Sequence, residues 1–265
     1  MAKRIDNCFN LLKSNKKKAL ITFLTAGDPN YDLSLELIET LPKAGADIVE
    51  IGMPFSDPMA DGPAIQASSL RAINGGHKME KTFEIIESFR KNNSHTPIIL
   101  MGYFNPIYSY GVDAFIEKII SLEVDGIIVV DLPPEEDSQL CDALENTGVS
   151  FIRLITPTTG SRRLNKILQK TSGFLYYVSI AGITGSKRPE IEKVKSAVQE
   201  IKTKTKLPVG VGFGIRTEDD IKRVSSFADG VIIGSVLVDI IKNSENDNTI
   251  KDKIMSKVKE FADAV

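Results

Sequence analysis

Eight short apolar runs rich in β-branched residues, separated by stretches with apolar positions at helical spacing, predict an α/β fold, a single-domain (β/α)8 TIM barrel over residues 1–265. The runs are almost continuously apolar rather than alternating, as parallel strands covered on both faces require. At 265 residues and 42% hydrophobic, the chain can bury a large core and has the usual length of one such barrel. An open doubly wound sheet is the competing arrangement of the same pattern.

The elements follow in order. Ile5, Cys8, Phe9 and Leu12 stand at helical spacing and predict an N-terminal helix that caps the closed bottom of the barrel. The eight strand runs are residues 19–26, 47–53, 97–104, 126–132, 151–156, 174–180, 208–213 and 229–234. Between them, Phe115, Ile116, Ile119 and Ile120 form one apolar stripe, and Ile191, Val194, Val198 and Ile201 form another, so each helix can cover the sheet. The second interval is nearly twice the usual spacing. It holds two helical patterns, over 64–72 and 79–91, which predicts one extra helix after the second strand.

Composition narrows the function. A formal charge of -2 and a pI near 5.9 provide no general attraction for nucleic acid or an anionic membrane, so a bound anion must be held by local geometry. Lys16-Lys17-Lys18 lacks a second basic cluster and reads as a solvated turn. The N-terminal stretch has no apolar h-region and no long apolar run follows it, which predicts a cytoplasmic protein without a membrane segment. Cys8 and Cys141 lie far apart and read as reduced thiols. His77 and His95 show no metal-ligand spacing, so no metal is expected.

Three glycine-bearing turns follow the last three runs: Ala181-Gly182-Ile183-Thr184-Gly185, Gly212-Phe213-Gly214-Ile215 and Gly234-Ser235. Any one could be an ordinary tight turn. Together, at the same end of adjacent strands, they suit a phosphate, because glycine lets backbone N–H groups approach an anion and a helix N-terminus favours negative charge. The Ser235 hydroxyl and amide are expected donors to its oxygens.

The acidic candidates are Glu50 and Asp61. Glu50 follows Asp47-Ile48-Val49, which places its carboxylate toward the carboxyl end of a buried strand. Asp61 lies in the succeeding loop, braced by Pro54, Pro58, Gly62 and Pro63. A strand end and the loop after it are where a parallel barrel displays catalytic groups. A structural alternative exists for each: Glu50 as a solvated cap, Asp61 as a turn former or helix N-cap.

The string Glu50-Ile51-Gly52-Met53-Pro54-Phe55-Ser56-Asp57-Pro58-Met59-Ala60-Asp61-Gly62-Pro63 resembles the signature of the tryptophan synthase alpha subunits, the indole-3-glycerol-phosphate lyases. Thr25-Ala26-Gly27-Asp28-Pro29, Met101-Gly102-Tyr103-Phe104-Asn105-Pro106-Ile107, Asp131-Leu132-Pro133-Pro134-Glu135-Glu136 and the sixth and seventh glycine turns are similar to further family motifs, in order, almost end to end. Ile180 departs from an arginine that some members carry in the sixth loop, which bears on loop closure rather than on the chemistry.

The resemblance implies retro-aldol cleavage of indole-3-glycerol phosphate to indole and glyceraldehyde 3-phosphate. It implies Glu50 as the acid–base group, Asp61 as acceptor of the indole N–H, and Thr184 as a hydrogen-bond partner of Asp61 on closure. Phe23, Tyr176 and Phe213 are the implied apolar slot for the indole and glycerol chain, and Gly185, Gly214, Gly234 and Ser235 the phosphate contacts. It further implies an α2β2 heterotetramer in which only the beta subunit carries pyridoxal phosphate, this chain having no cofactor. The beta-facing surface falls around Pro54, Asp57, Pro58, Asn105, Pro106 and Asp131. Competing readings are an allosteric binding subunit with secondary catalysis, a stand-alone lyase that releases indole, and another phosphate-binding barrel. The last would predict a catalytic lysine, and none lies within the eight runs.

Overall fold

The strands are β1 (Ala19–Thr25), β2 (Ile48–Gly52), β3 (Ile98–Gly102), β4 (Gly126–Val129), β5 (Ser150–Phe151), β6 (Arg153–Ile155), β7 (Leu175–Val178), β8 (Val209–Gly212) and β9 (Gly230–Ile233), all paired in parallel. The computed structural model describes residues 4–179, 190–212, 214–244 and 249–265. Strand order is β5-β4-β3-β2-β1-β9-β8-β7-β6. The two end segments flank a single residue, Ile152, whose N–H still bonds the Ile127 carbonyl at 2.9 Å. They are therefore two halves of the fifth barrel strand. The sequence predicts one run over 151–156; the break falls where this strand changes partner, from β4 for β5 to β7 for β6.

The helices are α1 (Arg4–Ser14), α2 (Tyr31–Thr40), α3 (Pro63–Asn74), α4 (Met79–Asn92), α5 (Phe104–Tyr110), α6 (Val112–Ser121), α7 (Ser138–Cys141), α8 (Ser161–Leu168), α9 (Ile191–Lys204), α10 (Glu218–Ser225), α11 (Ser235–Asn243) and α12 (Ile250–Ala262). Both helices expected between the second and third strands are present as α3 and α4. Phe115, Ile116 and Ile119 of α6, and Val194, Val198 and Ile201 of α9, are buried, so the apolar stripes face the sheet. Among the described residues no helix is long and apolar enough to cross a membrane.

Strand alternation divides the core in two. Outward residues such as Leu20, Leu24, Val49 and Leu100 pack under the helices. Inward residues Ala19, Ile21, Ile48, Ile99, Ile128, Ile152, Phe174, Tyr176 and Ile232 form a separate cluster within the barrel, joined from below by Ile5 and Phe9 of α1. The N-terminal helix is thus the expected plug, with Phe9 and Phe174 ring centroids 5.7 Å apart.

At the amino ends of the strands one device recurs. Asp47, Asp125 and Asp229 each stand just before a strand and accept the N–H of a neighbouring one: Leu20 at 2.8 Å, Ile98 at 2.8 Å and Val209 at 3.0 Å. Asp125 also pairs with Arg4 of α1 at 3.0 Å and with Arg90 of α4 at 2.5 Å. One carboxylate therefore joins the plug, helix α4 and the sheet.

Candidate active site

Glu50 occupies the middle of β2, where alternation points Ile48, Glu50 and Gly52 inward. In register, Phe23 of β1 and Ile99 of β3 flank it. The residue is 0% exposed, and neither carboxylate oxygen has a hydrogen-bond partner among the described residues. With no donor to either oxygen among the described residues, the charged form is disfavoured, and burial pushes the carboxyl up to about 8. At neutral pH it holds a proton that it can give up and take back.

Asp61 lies in the loop after β2, half-buried. Its N–H bonds the Pro58 carbonyl at 3.0 Å, and Gln66 Nε2 of α3 donates to its carbonyl at 2.8 Å. Burial raises its carboxyl to about 6, opposed by a hydrogen bond from the Tyr103 phenol. It is therefore ionised at pH 7 where Glu50 is protonated, and two carboxyls driven apart by environment suit separate acid and anion roles. Burial first, and then the carboxylates of Glu50 and Asp61, drive the Tyr176 phenol of β7 well above 10. Glu50 and Tyr176 both point into the barrel, and Asp61 lies in the loop that leaves the strand of Glu50.

Two strand glycines make room for the aromatic walls. A Cβ at Gly52 would fall 2.4 Å from the Phe23 ring, and one at Gly212 would fall 2.4 Å from the Tyr176 hydroxyl oxygen. Met101, Val130, Leu154 and Val178 pack on the interior cluster and are only half-buried, which leaves an apolar wall above the filled core. These four had no role assigned from sequence, although strand alternation points to them.

Helix α11 begins at Ser235, directly after Gly234. The N–H groups of Leu237 and Val238 return to the Gly234 carbonyl at 2.9 and 3.1 Å, whereas those of Ser235 and Val236, at the helix start, have no acceptor within the helix. Gly214 after β8 adopts φ 77°, a conformation that glycine tolerates. Gly234 also lies against Phe23, so the helix terminus opens beside the aromatic wall. Thr184, Gly185 and Phe213, and the divergent Ile180, lie outside the described residues.

Helix α3 is fixed to the carboxyl end of β1 and the turn after it. Arg71 of α3 grips Asp28 through two bonds of 2.7 and 2.8 Å, and Ser68 meets Thr25 at 2.6 Å between hydroxyls. Asp61 lies two residues before α3, so its loop leaves a pinned element. Of the expected docking surface, Asp57, Asn105 and Asp131 are exposed and Pro54 and Pro106 half-buried. Pro58 is buried, a correction: it shapes the loop and presents no surface of its own.

A closed parallel barrel with a desolvated acid, an ionised carboxylate and an open helix N-terminus at its mouth defines an α/β-barrel enzyme. A family model described as tryptophan synthase alpha chain matches residues 9–265. The tryptophan synthase subunit alpha of Legionella pneumophila is 39% identical, with a TM-score of 0.93, over 100% of this chain and 98% of that one. A structure of tryptophan synthase from M. tuberculosis, in an aminoacrylate-bound form, is 30% identical with a TM-score of 0.89 over 100% of both chains. A further solved structure, of a protein from Aquifex aeolicus VF5, is 35% identical with a TM-score of 0.90, over 99% of this chain and 98% of that one. The chain belongs to the tryptophan synthase alpha chain family.

Proposed function

We propose that Glu50 transfers the protons and Asp61 stabilises the ring charge in the reaction of this family, the lyase cleavage of indole-3-glycerol phosphate to indole and glyceraldehyde 3-phosphate. The observation that carries the reading is a carboxyl buried inside the barrel with both oxygens unpartnered among the described residues. Structures rarely retain such a group without a use for it.

Protonated Glu50 delivers its proton to indole C3, and positive charge develops on the ring nitrogen. Asp61 accepts the N–H there, an electrostatic contribution that grows as water is excluded. The glycerol hydroxyl returns a proton to Glu50 while the carbon–carbon bond breaks. The bond's electron pair goes back to the ring and an aldehyde forms, so the carboxyl ends protonated as it began.

Phe23 and Tyr176, with Phe213, form the slot for the indole. The phosphate sits at the start of α11, taken by Gly234 and Ser235 with Gly214 and Gly185, as a helix N-terminus favours. Thr184 bonds Asp61 when the loops close. The chain carries no cofactor of its own, and indole passes to a beta subunit bearing pyridoxal phosphate, in an α2β2 assembly. Its docking face is the barrel mouth, where Met59 and Tyr108 expose 74% and 65% of their surface beside Asp57 and Asn105.

Indole release from indole-3-glycerol phosphate, measured with and without a beta subunit, tests the assignment. Indole should form in both cases and faster in the complex; none in either case overturns it. Glu50→Gln should retain substrate affinity and lose more than nine-tenths of turnover, and a variant above a tenth of wild type removes Glu50 from this role.

A further inference from the structure

Gln66 is the fourth residue of α3 and is half-buried. Its backbone N–H takes its place in the helix, bonding the Gly62 carbonyl at 3.0 Å. Its side chain turns back past the helix start, where Nε2 donates to the Asp61 carbonyl at 2.8 Å. On the other side of the same residue, the Asp61 N–H bonds the Pro58 carbonyl at 3.0 Å. The two peptide planes that flank the Asp61 Cα are therefore both held. Because each plane is rigid, holding both fixes φ and ψ between them, and with these the direction of the Cα–Cβ bond. We propose that Gln66 is a positioning residue whose amide sets the direction in which the Asp61 side chain leaves the backbone, an inference that rests on the role given to Asp61 above.

The amide is itself carried on a fixed frame. Further along α3, the Ser68 hydroxyl meets that of Thr25 at 2.6 Å, and Arg71 grips the buried Asp28 through bonds of 2.7 and 2.8 Å. Thr25 ends β1 opposite Gly52 of β2, and the Ala26 N–H continues the pairing to the Gly52 carbonyl at 2.9 Å. Glu50 lies on that same β2. Both carboxyl groups are thus referred to one pair of strands, Glu50 directly and Asp61 through α3 and Gln66. Preorganised charge stabilisation requires such a frame, because a group that must still be aimed during the reaction loses part of its effect.

The loop has a second tether. The Ala60 N–H bonds the Tyr103 hydroxyl at the end of β3, at 3.0 Å, one peptide before the pair that sets Asp61. Loss of the Gln66 amide should therefore leave the loop seated and free only the peptide that follows Asp61. Gln66→Met keeps an unbranched side chain of similar length and removes the N–H donor.

The test is kcat and KM for indole formation from indole-3-glycerol phosphate by the full chain, for Gln66→Met alone and in an Asp61→Asn background. Charge on the ring nitrogen develops in the transition state, so a misaimed carboxylate should cost kcat and spare KM. The expected fall in kcat is about tenfold, short of the roughly hundredfold that a misplacement of about 1 Å can cost, with KM within about twofold. In the Asp61→Asn background there is no carboxylate to aim, and the same change should cost under about twofold. A role confined to folding would lower the active fraction in both backgrounds alike. An unchanged kcat, a loss carried by KM, or an equal loss in both backgrounds overturns the inference. Failure of the wild type to form indole would instead overturn the assignment of the reaction, and full turnover by Asp61→Asn the role of Asp61, so the three failures are distinct.

Discussion

At the residue scale, Glu50 is held in a place that costs the fold. Its carboxyl is raised from 4.5 to about 8, so the folded state binds the proton more tightly than the unfolded chain does. The benefit is complete below the unfolded value and is lost as pH rises through the folded one. Wild type should therefore lose stability relative to Glu50→Gln between pH 4.5 and 8, by at most about 1.4 kcal/mol per pH unit. Urea midpoints at pH 5 and 8 check this, and a gap between the two proteins that is equal at both pH values would refute it. With the role proposed for Glu50, the Gln variant should then gain stability at pH 8 where it loses activity.

At the element scale, α11 presents its N-terminus to the mouth. Ser235→Asp places a negative charge where the first turn of a helix favours one, which should leave the melting temperature unchanged or slightly raised. The same charge repels a phosphate, so KM for indole-3-glycerol phosphate should rise at least tenfold while the fold persists. Measuring both on one preparation separates binding from folding, and an unchanged KM would move the phosphate elsewhere. Much at this scale is legible in sequence. The strand runs recur at their expected places, and Gly212 and Gly234 mark the ends of β8 and β9. The aspartates before β2, β4 and β9 are an internal pattern visible in Ala46-Asp47, Val124-Asp125 and Ala228-Asp229, although their bonds to neighbouring strands are not. The split of the fifth strand was not legible, because it reflects a change of pairing partner at the seam between β4 and β7.

At the scale of the whole molecule, residues far apart in the chain meet at the foot of the barrel, Arg4 and Asp125 being 121 positions apart. Asp125 receives Arg4, Arg90 and the Ile98 N–H, so Asp125→Ala would remove the carboxylate that all three share, leaving Arg90 only the carbonyls of Asn93, Thr96 and Glu123 and Arg4 only Glu123 and the Ser94 carbonyl. Loss of one partner of a buried pair costs about 3–5 kcal/mol. The variant should unfold at correspondingly lower urea; a midpoint within 0.5 kcal/mol of wild type, about the scatter of a surface change, would show that the network is dispensable.

What the sequence by itself determined was the alternation that builds the barrel, the insertion after the second strand, and the signature that places the chain in its family. Those are local patterns of side-chain type, readable along the chain. The tertiary structure alone decided how Glu50 and Asp61 differ as acids. A pKa depends on what surrounds a carboxyl in space, and here the surroundings come from Phe23, Ile99, Tyr103 and Tyr176, which three strands, β1, β3 and β7, bring together. The same holds for Tyr103, whose partner lies 43 residues away in the chain and one hydrogen bond away in the fold.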